Sequence, residues 1–150
     1  MSGKKILKIS AITAGVLAVL AGILAAVYMF VIAPTFIGRT GPEGEMLKKY
    51  IEPAELKKLT EKPDESIWII DVRSEENFRK GHIPTAKSFY SGTIMSRLDE
   101  LPKDKYLIIY CETGGRVQSV IRKLSKEGYT RYMNWGGNSR WPYERATGDN

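Results

Sequence analysis

The sequence contains one cysteine among its 150 residues, and it has little excess charge outside its N-terminus. A single cysteine cannot form an intramolecular disulfide, so the fold does not depend on an oxidising compartment. Beyond residue 38 there are 20 basic and 17 acidic residues, which gives a net charge of +3. This excess is too small to indicate a nucleic-acid-binding protein. Internal repeats and low-complexity segments are also lacking, and the length fits one globular domain with an appendage.

A further absence marks the N-terminal part, where no charged residue occurs from Ile9 to Gly38. As a helix this run would extend roughly 40 Å, which exceeds the hydrocarbon core of a bilayer, roughly 30 Å. The run is also longer than the apolar region of a secretory signal peptide, about 7 to 15 residues. We therefore predict an uncleaved transmembrane anchor over residues 1–38, with its helix ended by Pro34.

The orientation of this anchor follows from the lysines and arginines around it. Three lysines precede the apolar run and three basic residues follow it, so the positive-inside count nearly balances. The preceding lysines lie closer to the run, which favours a single-pass membrane protein whose domain is exported to the periplasmic or extracellular side. Small residues that recur every four positions also permit weak self-association through the anchor, with a simple tether as the alternative. These residues are Ala14, Ala18, Gly22 and Ala26.

After the anchor, turn-forming residues predict a linker over 39–49 and a domain over 50–150. In that domain short apolar runs alternate with helical patterns, which indicates an α/β fold with a mostly parallel sheet. Ligands of such sheets bind beyond the carboxyl ends of the strands. The predicted strands are Tyr50–Ile51, Ile67–Ile70, Ala86–Tyr90, Tyr106–Tyr110 and Tyr129–Trp135, and the predicted helices begin near Pro53, Ser74, Thr93 and Val117, with a last one around Trp141.

Cys111 stands where the apolar strand Tyr106–Tyr110 meets a glycine-bearing loop and an amphipathic helix. Such a loop directs backbone N–H groups at one spot, and the helix dipole favours an anion there. This position beside Arg116 is expected to favour an anion such as a thiolate, which is the nucleophilic form of cysteine. This context predicts a nucleophilic cysteine, although a free cysteine at the end of an apolar strand can also serve only for packing.

Three separated motifs resemble those of rhodanese-like sulfurtransferase domains, in the same order, over about Tyr50 to Gly148. The stretch Asp71 to Ala86 is similar to the family's DVR…F…GHIPGA segment, Cys111 to Arg116 is similar to its C-x-x-G-x-R active-site loop, and Tyr129 to Trp141 is similar to its closing segment. The resemblance implies a central parallel five-stranded sheet flanked by helices. It also implies that Cys111 carries a sulfane sulfur as a persulfide, from a donor such as thiosulfate or polysulfide to a thiol or cyanide acceptor, without a metal or organic cofactor.

A persulfide is an anion, so the backbone N–H groups of the loop are expected to hold it. Arg116 either stabilises this charge or braces the loop through carbonyl groups. The carboxylate that follows Cys111 is expected to repel an anionic donor such as thiosulfate. The predicted substrate-binding residues are Glu112, Thr113, Gly114, Gly115, Arg116 and Val117, with Cys111 as the catalytic residue.

Residues of the other motifs are given structural roles. Asp71 and Arg73 are expected to hold neighbouring loops by polar contacts, and His82, the only histidine, is expected to hydrogen-bond to the backbone. Trp135, at a position that is usually aliphatic in the family, is expected to pack in the core.

Two other functions stay open at this point. Phosphatases related to this fold have five residues between cysteine and arginine, whereas four separate Cys111 from Arg116. The smaller loop offers fewer N–H groups to a tetrahedral oxyanion, which disfavours phosphatase or arsenate reductase activity. A non-catalytic, membrane-anchored binding module is the main alternative, because fold does not fix function. The expected partners are a small sulfur donor and acceptor or a protein thiol, and the membrane, but not nucleic acid.

Overall fold

A computed structural model describes residues 3–28, 31 and 36–149, with the side chains of the first helix described from Thr13 onward. The chain divides into two units, Met1–Ile32 and Ala33–Asn150, and the first contains helix α1 (Gly3–Val27). Among the described residues, no helix combines the length and apolar character needed to cross a membrane. The predicted anchor is therefore not supported by the structure, and Pro34, its predicted end, lies outside the described residues.

The second unit is an α/β domain, as predicted, built on a parallel sheet in the order β2-β1-β3-β4. The expected five strands are not confirmed, since the described residues form four. The strands are β1 (Ile67–Asp71), β2 (Lys87–Ser88), β3 (Tyr106–Cys111) and β4 (Tyr132–Gly137), and the helices are α2 (Pro53–Glu61), α3 (Glu75–Lys80) and α4 (Gly115–Lys126).

Strands β1 and β3 pair along the whole of β1, with Ile67 opposite Tyr106 and Asp71 opposite Tyr110. The carboxyl ends of the two strands therefore lie side by side. This register places the loop that follows Asp71 next to the loop that follows Cys111.

Apolar side chains cover both faces of the sheet, as the continuous apolar runs of β1 and β3 predict for parallel strands. Ile69 and Ile108 belong to the layer beneath α2, whereas Ile70 and Ile109 belong to the layer beneath α4. Helix α4 contributes one apolar stripe to its layer and turns its other side chains to solvent. This packing holds α4 against the sheet, and its first residue, Gly115, follows Cys111 by four positions.

Several elements differ from the predictions. The expected strand at Tyr50–Ile51 is the end of a 3-10 helix, Glu45–Ile51, and the expected helix near Trp141 is the short 3-10 turn Asn138–Arg140. The strand expected over Ala86–Tyr90 is reduced to the two residues of β2. The helix expected to begin at Thr93 consists of two 3-10 turns, because Arg97 between them leaves the helical conformation with φ −124° and ψ 27°.

The segment predicted as a linker, 39–49, folds onto the sheet instead. Gly41 N donates a hydrogen bond to Tyr132 O at 2.9 Å, so the segment covers the free edge of β4. A Cβ atom on Gly41 would lie 2.2 Å from Thr130 O, which only glycine avoids. Leu47 is completely buried. The folded domain consequently begins before residue 50.

Candidate functional site

Cys111 is the last residue of β3 and is 1% exposed. Its Sγ atom accepts a hydrogen bond from Gly114 N at 3.1 Å. Gly114 caps the N-terminus of α4 with φ +93°, a conformation that favours glycine. The sulfur therefore lies within the loop, beside the first turn of a helix, whose N–H groups have no partners inside the helix.

Glycines at the end of β4 let the cysteine loop pack directly against that strand. Cys111 lies opposite Gly137 in the sheet, and a Cβ atom on Gly137 would lie 2.4 Å from Glu112 O. A Cβ atom on Gly114 would lie 3.0 Å from the Cα atom of Gly136. This contact of backbone with backbone explains why the glycine pair of the closing motif accompanies the cysteine motif.

Asn134 holds the cysteine loop through its side chain, a role that the sequence reasoning missed. Its Nδ2 donates to Gly114 O at 3.0 Å, and its Oδ1 accepts from Gly136 N at 2.9 Å. The side chain is completely buried. The signal was present in the sequence, because a buried amide inside an apolar strand must find hydrogen-bond partners.

The neighbouring loop is held by a buried ion pair between Asp71 and Arg73. Arg73 Nη2 lies 2.8 Å from Asp71 Oδ2 and also donates to Gly81 O at 2.7 Å, and the two side chains are 0% and 4% exposed. Burial alone would lower the pKa of Arg73, but the hydrogen bonds and charge of Asp71 raise it. Both residues hold loops, as predicted.

Tyr110 and His82 complete this structural network. The Tyr110 hydroxyl accepts a hydrogen bond from Ile83 N at 3.1 Å, and its burial, reinforced by the charge of Asp71, raises the pKa of the hydroxyl well above its usual range. His82 is buried, with Nδ1 2.9 Å from Phe78 O. The contact of His82 with the backbone confirms its predicted role.

Glu112 and Arg116 occupy opposite ends of the cysteine loop, and both are exposed. Glu112 Oε2 lies 3.7 Å from Arg73 Nη1, so a cation stands beside this carboxylate. Within the described residues, the side chain of Arg116 forms no hydrogen bond or ion pair. The bracing role considered for this side chain is therefore not found. Its guanidinium is consequently available to an anion.

The remaining predicted site residues are present in the same loop but differ in what they offer. Gly115 begins α4 and Thr113 is half-buried. Val117 is fully buried in the core, so only its backbone can contribute to an anion site. Trp135 is also buried, and its Nε1 donates to Tyr50 O at 2.8 Å, in agreement with the predicted packing role.

An open groove of about 410 Å³ borders the cysteine loop, and its charged lining includes Arg73, Lys80, Glu112 and Arg145. In the described part of the chain, no group of three or more His, Cys, Asp or Glu side chains could hold a metal ion. The site therefore combines one nucleophilic atom, which accepts a hydrogen bond from a backbone N–H group, with cationic side chains in the neighbouring groove. Such a site can form a covalent bond to an electrophilic sulfur and hold the anionic product.

A family model described as rhodanese-like domain matches residues 52–142. Putative sulfurtransferase YtwF of Bacillus subtilis is 34% identical over 96 residues, which cover 64% of this chain and 92% of that protein. Thiosulfate sulfurtransferase GlpE of Coxiella burnetii is 30% identical over 105 residues, which cover 69% of this chain and 96% of the relative. A crystal structure of a rhodanese-like domain protein from Staphylococcus aureus is 28% identical, with a TM-score of 0.56, and the match covers 65% of this chain and 95% of that one.

Proposed function

Since the chain belongs to the rhodanese-like domain family, we propose that it is a sulfurtransferase with Cys111 as the nucleophile. The observation that carries this proposal is the hydrogen bond of 3.1 Å from Gly114 N to Cys111 Sγ. A backbone donor at that distance stabilises the attacking thiolate and, after reaction, the negative persulfide. Relatives named as sulfurtransferases support the same reaction class.

The proposed reaction proceeds in two displacements. The Cys111 thiolate attacks the outer sulfur of thiosulfate, a new S–S bond forms on the enzyme, and the S–S bond of thiosulfate breaks with release of sulfite. An acceptor such as cyanide then attacks the outer sulfur of the persulfide, and Cys111 leaves as the thiolate. No external oxidant or reductant is consumed. Arg116 is proposed to attract the anionic donor, since its guanidinium is exposed and unpaired among the described residues.

Intact-mass measurement of the full chain tests this proposal. The chain is expected to gain the mass of one sulfur atom after incubation with thiosulfate or with a polysulfide, and to lose it when cyanide is added. The variant Cys111→Ser should gain nothing. A folded wild-type chain that gains no mass from either donor, although its thiol reacts with a small alkylating reagent, would contradict the enzyme and favour a binding module.

Membrane placement is a separate proposal that rests on the apolar sequence. Seven large apolar side chains between Val16 and Val27 are 42% to 69% exposed on α1, and an uninterrupted apolar surface of this kind is unfavourable in water. Because α1 as described does not have the length and apolar character of a span, the proposal rests on the whole uncharged run from Ile9 to Gly38. We propose a single-pass protein with the domain on the exported side. The chain should then stay with membranes after extraction at alkaline pH, and release by this treatment would contradict the anchor.

A further inference from the structure

The residues of α4 include basic side chains and no acidic one, and Glu127 follows directly after the helix. The helix contains four basic side chains, all exposed, which we call the basic stripe: Arg116, Arg122, Lys123 and Lys126. Arg122 and Lys123 lie four and three positions before Lys126 and share one side of the helix with it. Arg116 lies seven positions, about two turns, before Lys123 on that side. The stripe therefore extends about 15 Å from the cysteine loop to the far end of α4.

The basic stripe is unpaired, whereas the basic side chains of helices α2 and α3 all pair with acidic residues of the same helix. In the described ranges none of its four members forms an ion pair or hydrogen bond, while Arg97 pairs with Glu100 at 2.7 Å and Arg131 pairs with Glu43 at 2.9 Å. The helix dipole favours cations in the last turn but disfavours Arg116 in the first. Like charges at this spacing also repel one another. An external anionic surface would relieve this repulsion.

A groove of about 350 Å³ lies along the stripe, and its lining includes Arg122, Lys126, Arg39 and Gln118. The Oε1 atom of Gln118 is buried and has no hydrogen-bond partner within the described residues. A buried acceptor of this kind requires a donor. A protein can supply an amide N–H, whereas phosphodiester groups at neutral pH offer only acceptors.

We propose that the basic stripe docks an acidic protein whose thiol exchanges sulfur with Cys111, an inference that rests on the proposed function. The stripe begins at Arg116, in the cysteine loop, and is too long for one small anion. A nucleic acid fits less well, because the other exposed side chains among these cations are Ser119 and Ser125 rather than aromatic residues on which bases could stack.

The exchange needs no further reactant. The thiolate of the partner attacks the outer sulfur of the Cys111 persulfide, an S–S bond forms on the partner, and the S–S bond at Cys111 breaks. Cys111 leaves as the thiolate and the partner carries the persulfide. The reverse of the same step would load Cys111 from a partner persulfide.

The test uses the full chain and two short fluorescent peptides that end in cysteine, one rich in glutamate and the other with glutamine at the same positions. The sulfur-loaded chain is expected to transfer roughly tenfold faster to the glutamate peptide at low salt, and high salt should remove the difference. The triple variant Arg122→Glu, Lys123→Glu, Lys126→Glu should lose this preference. Its loading from thiosulfate at high salt should equal that of the wild type.

A matched control carries the same change of charge on the other side of the sheet, with Lys57→Glu, Lys58→Glu and Lys62→Glu on and just after α2. This control should keep the preference for the glutamate peptide. Equal transfer to both peptides by the wild type, or a preference that survives in the α4 variant, would overturn the proposal. So would an equal loss of preference in the control.

Binding of the same peptides, followed by fluorescence anisotropy, separates this inference from the proposed function. If Cys111 accepts no sulfur, the enzyme proposal fails, but weaker binding of the glutamate peptide to the α4 variant than to the control still supports docking. Equal binding to both variants would overturn it. An oligonucleotide of the same net charge that binds much more tightly than the glutamate peptide at the same salt, with this binding weakened in the α4 variant but not in the control, would assign the stripe to nucleic acid and overturn the protein partner.

Discussion

The loops that follow β1 and β3 begin side by side at the carboxyl ends of these strands, yet they are held by different interactions. In the β1 loop, the charges of Asp71 and Arg73 neutralise one another in a buried pair. In the β3 loop, backbone hydrogen bonds, glycine contacts and the neutral amide of Asn134 hold the chain around Cys111. The charges of the first loop are paired within the protein. The backbone N–H groups of the second loop are instead available to a bound anion.

The largest loss of stability should come from Arg73→Met, which breaks the buried ion pair of the β1 loop. This change leaves the carboxylate of Asp71 buried without its partner, which is expected to cost about 3–5 kcal/mol of unfolding free energy. Urea denaturation measures the loss. The double variant Asp71→Asn, Arg73→Met should recover part of it, since the uncompensated charge is gone. A loss below about 1 kcal/mol in the single variant would mean that the pair is not what holds this loop.

A smaller loss of stability, together with slower sulfur loading, is expected from Asn134→Ala, which removes the side chain of β4 that holds the cysteine loop. The change leaves Gly114 O and Gly136 N without their side-chain partner, at a cost of about 1–3 kcal/mol. Because Gly114 also donates to Cys111 Sγ, the rate of loading from thiosulfate should fall roughly tenfold, about 1.4 kcal/mol.

The control for this variant is Leu59→Ala, on the buried face of α2 and in the core layer that does not contain Cys111. It should lose as much stability or more, about 2–5 kcal/mol, while the folded chain loads sulfur at the wild-type rate. If the two variants load sulfur equally slowly, Asn134 supports the fold and has no specific role in positioning Gly114.

The different interactions also decide how much of each region could be predicted. Continuous apolar runs identified β1 and β3, and the glycine-bearing motif located Cys111, because these signals are local in sequence. Asp71 and Arg73 were expected to hold neighbouring loops by polar contacts, and the structure adds that the two side chains pair with each other. The role of Asn134 was not predicted, because one of its hydrogen-bond partners lies in β4 and the other lies in the cysteine loop, which is distant in sequence.

The contacts of segment 39–49 are likewise not local in sequence. Gly41 and Gly44 signal a turn in any context, and only the tertiary structure shows that they approach the backbone of β4, with a Cβ atom on Gly44 placed 2.3 Å from Tyr132 O. The short β2 and the turns around Arg97 are also in contact, since Arg97 Nη1 donates to the O atom of Ser88, the last residue of β2, at 3.3 Å. Secondary-structure propensities depend on local sequence and do not predict such contacts.

The smallest expected effect is a change in the KM for thiosulfate on substitution of Glu112, whose carboxylate lies in the β3 loop near a cation of the β1 loop. Glu112 follows Cys111, yet its carboxylate lies 3.7 Å from Arg73 Nη1, so the repulsion of a thiosulfate dianion is partly offset by the neighbouring loop. Glu112→Gln should lower the KM for thiosulfate roughly two- to fivefold at low salt, with kcat nearly unchanged, because it removes a long-range repulsion and leaves the reacting atoms in place.

High salt should abolish this gain, since the carboxylate is exposed and its field is screened. Glu127→Gln, which makes the same change of charge at the far end of α4, is the matched control and should leave KM within the error of the wild type. A change in kcat instead of KM would assign Glu112 to the chemical step. Equal effects of the two substitutions would show that net charge, rather than the position beside Cys111, governs entry of the donor, and the two loops would then act independently.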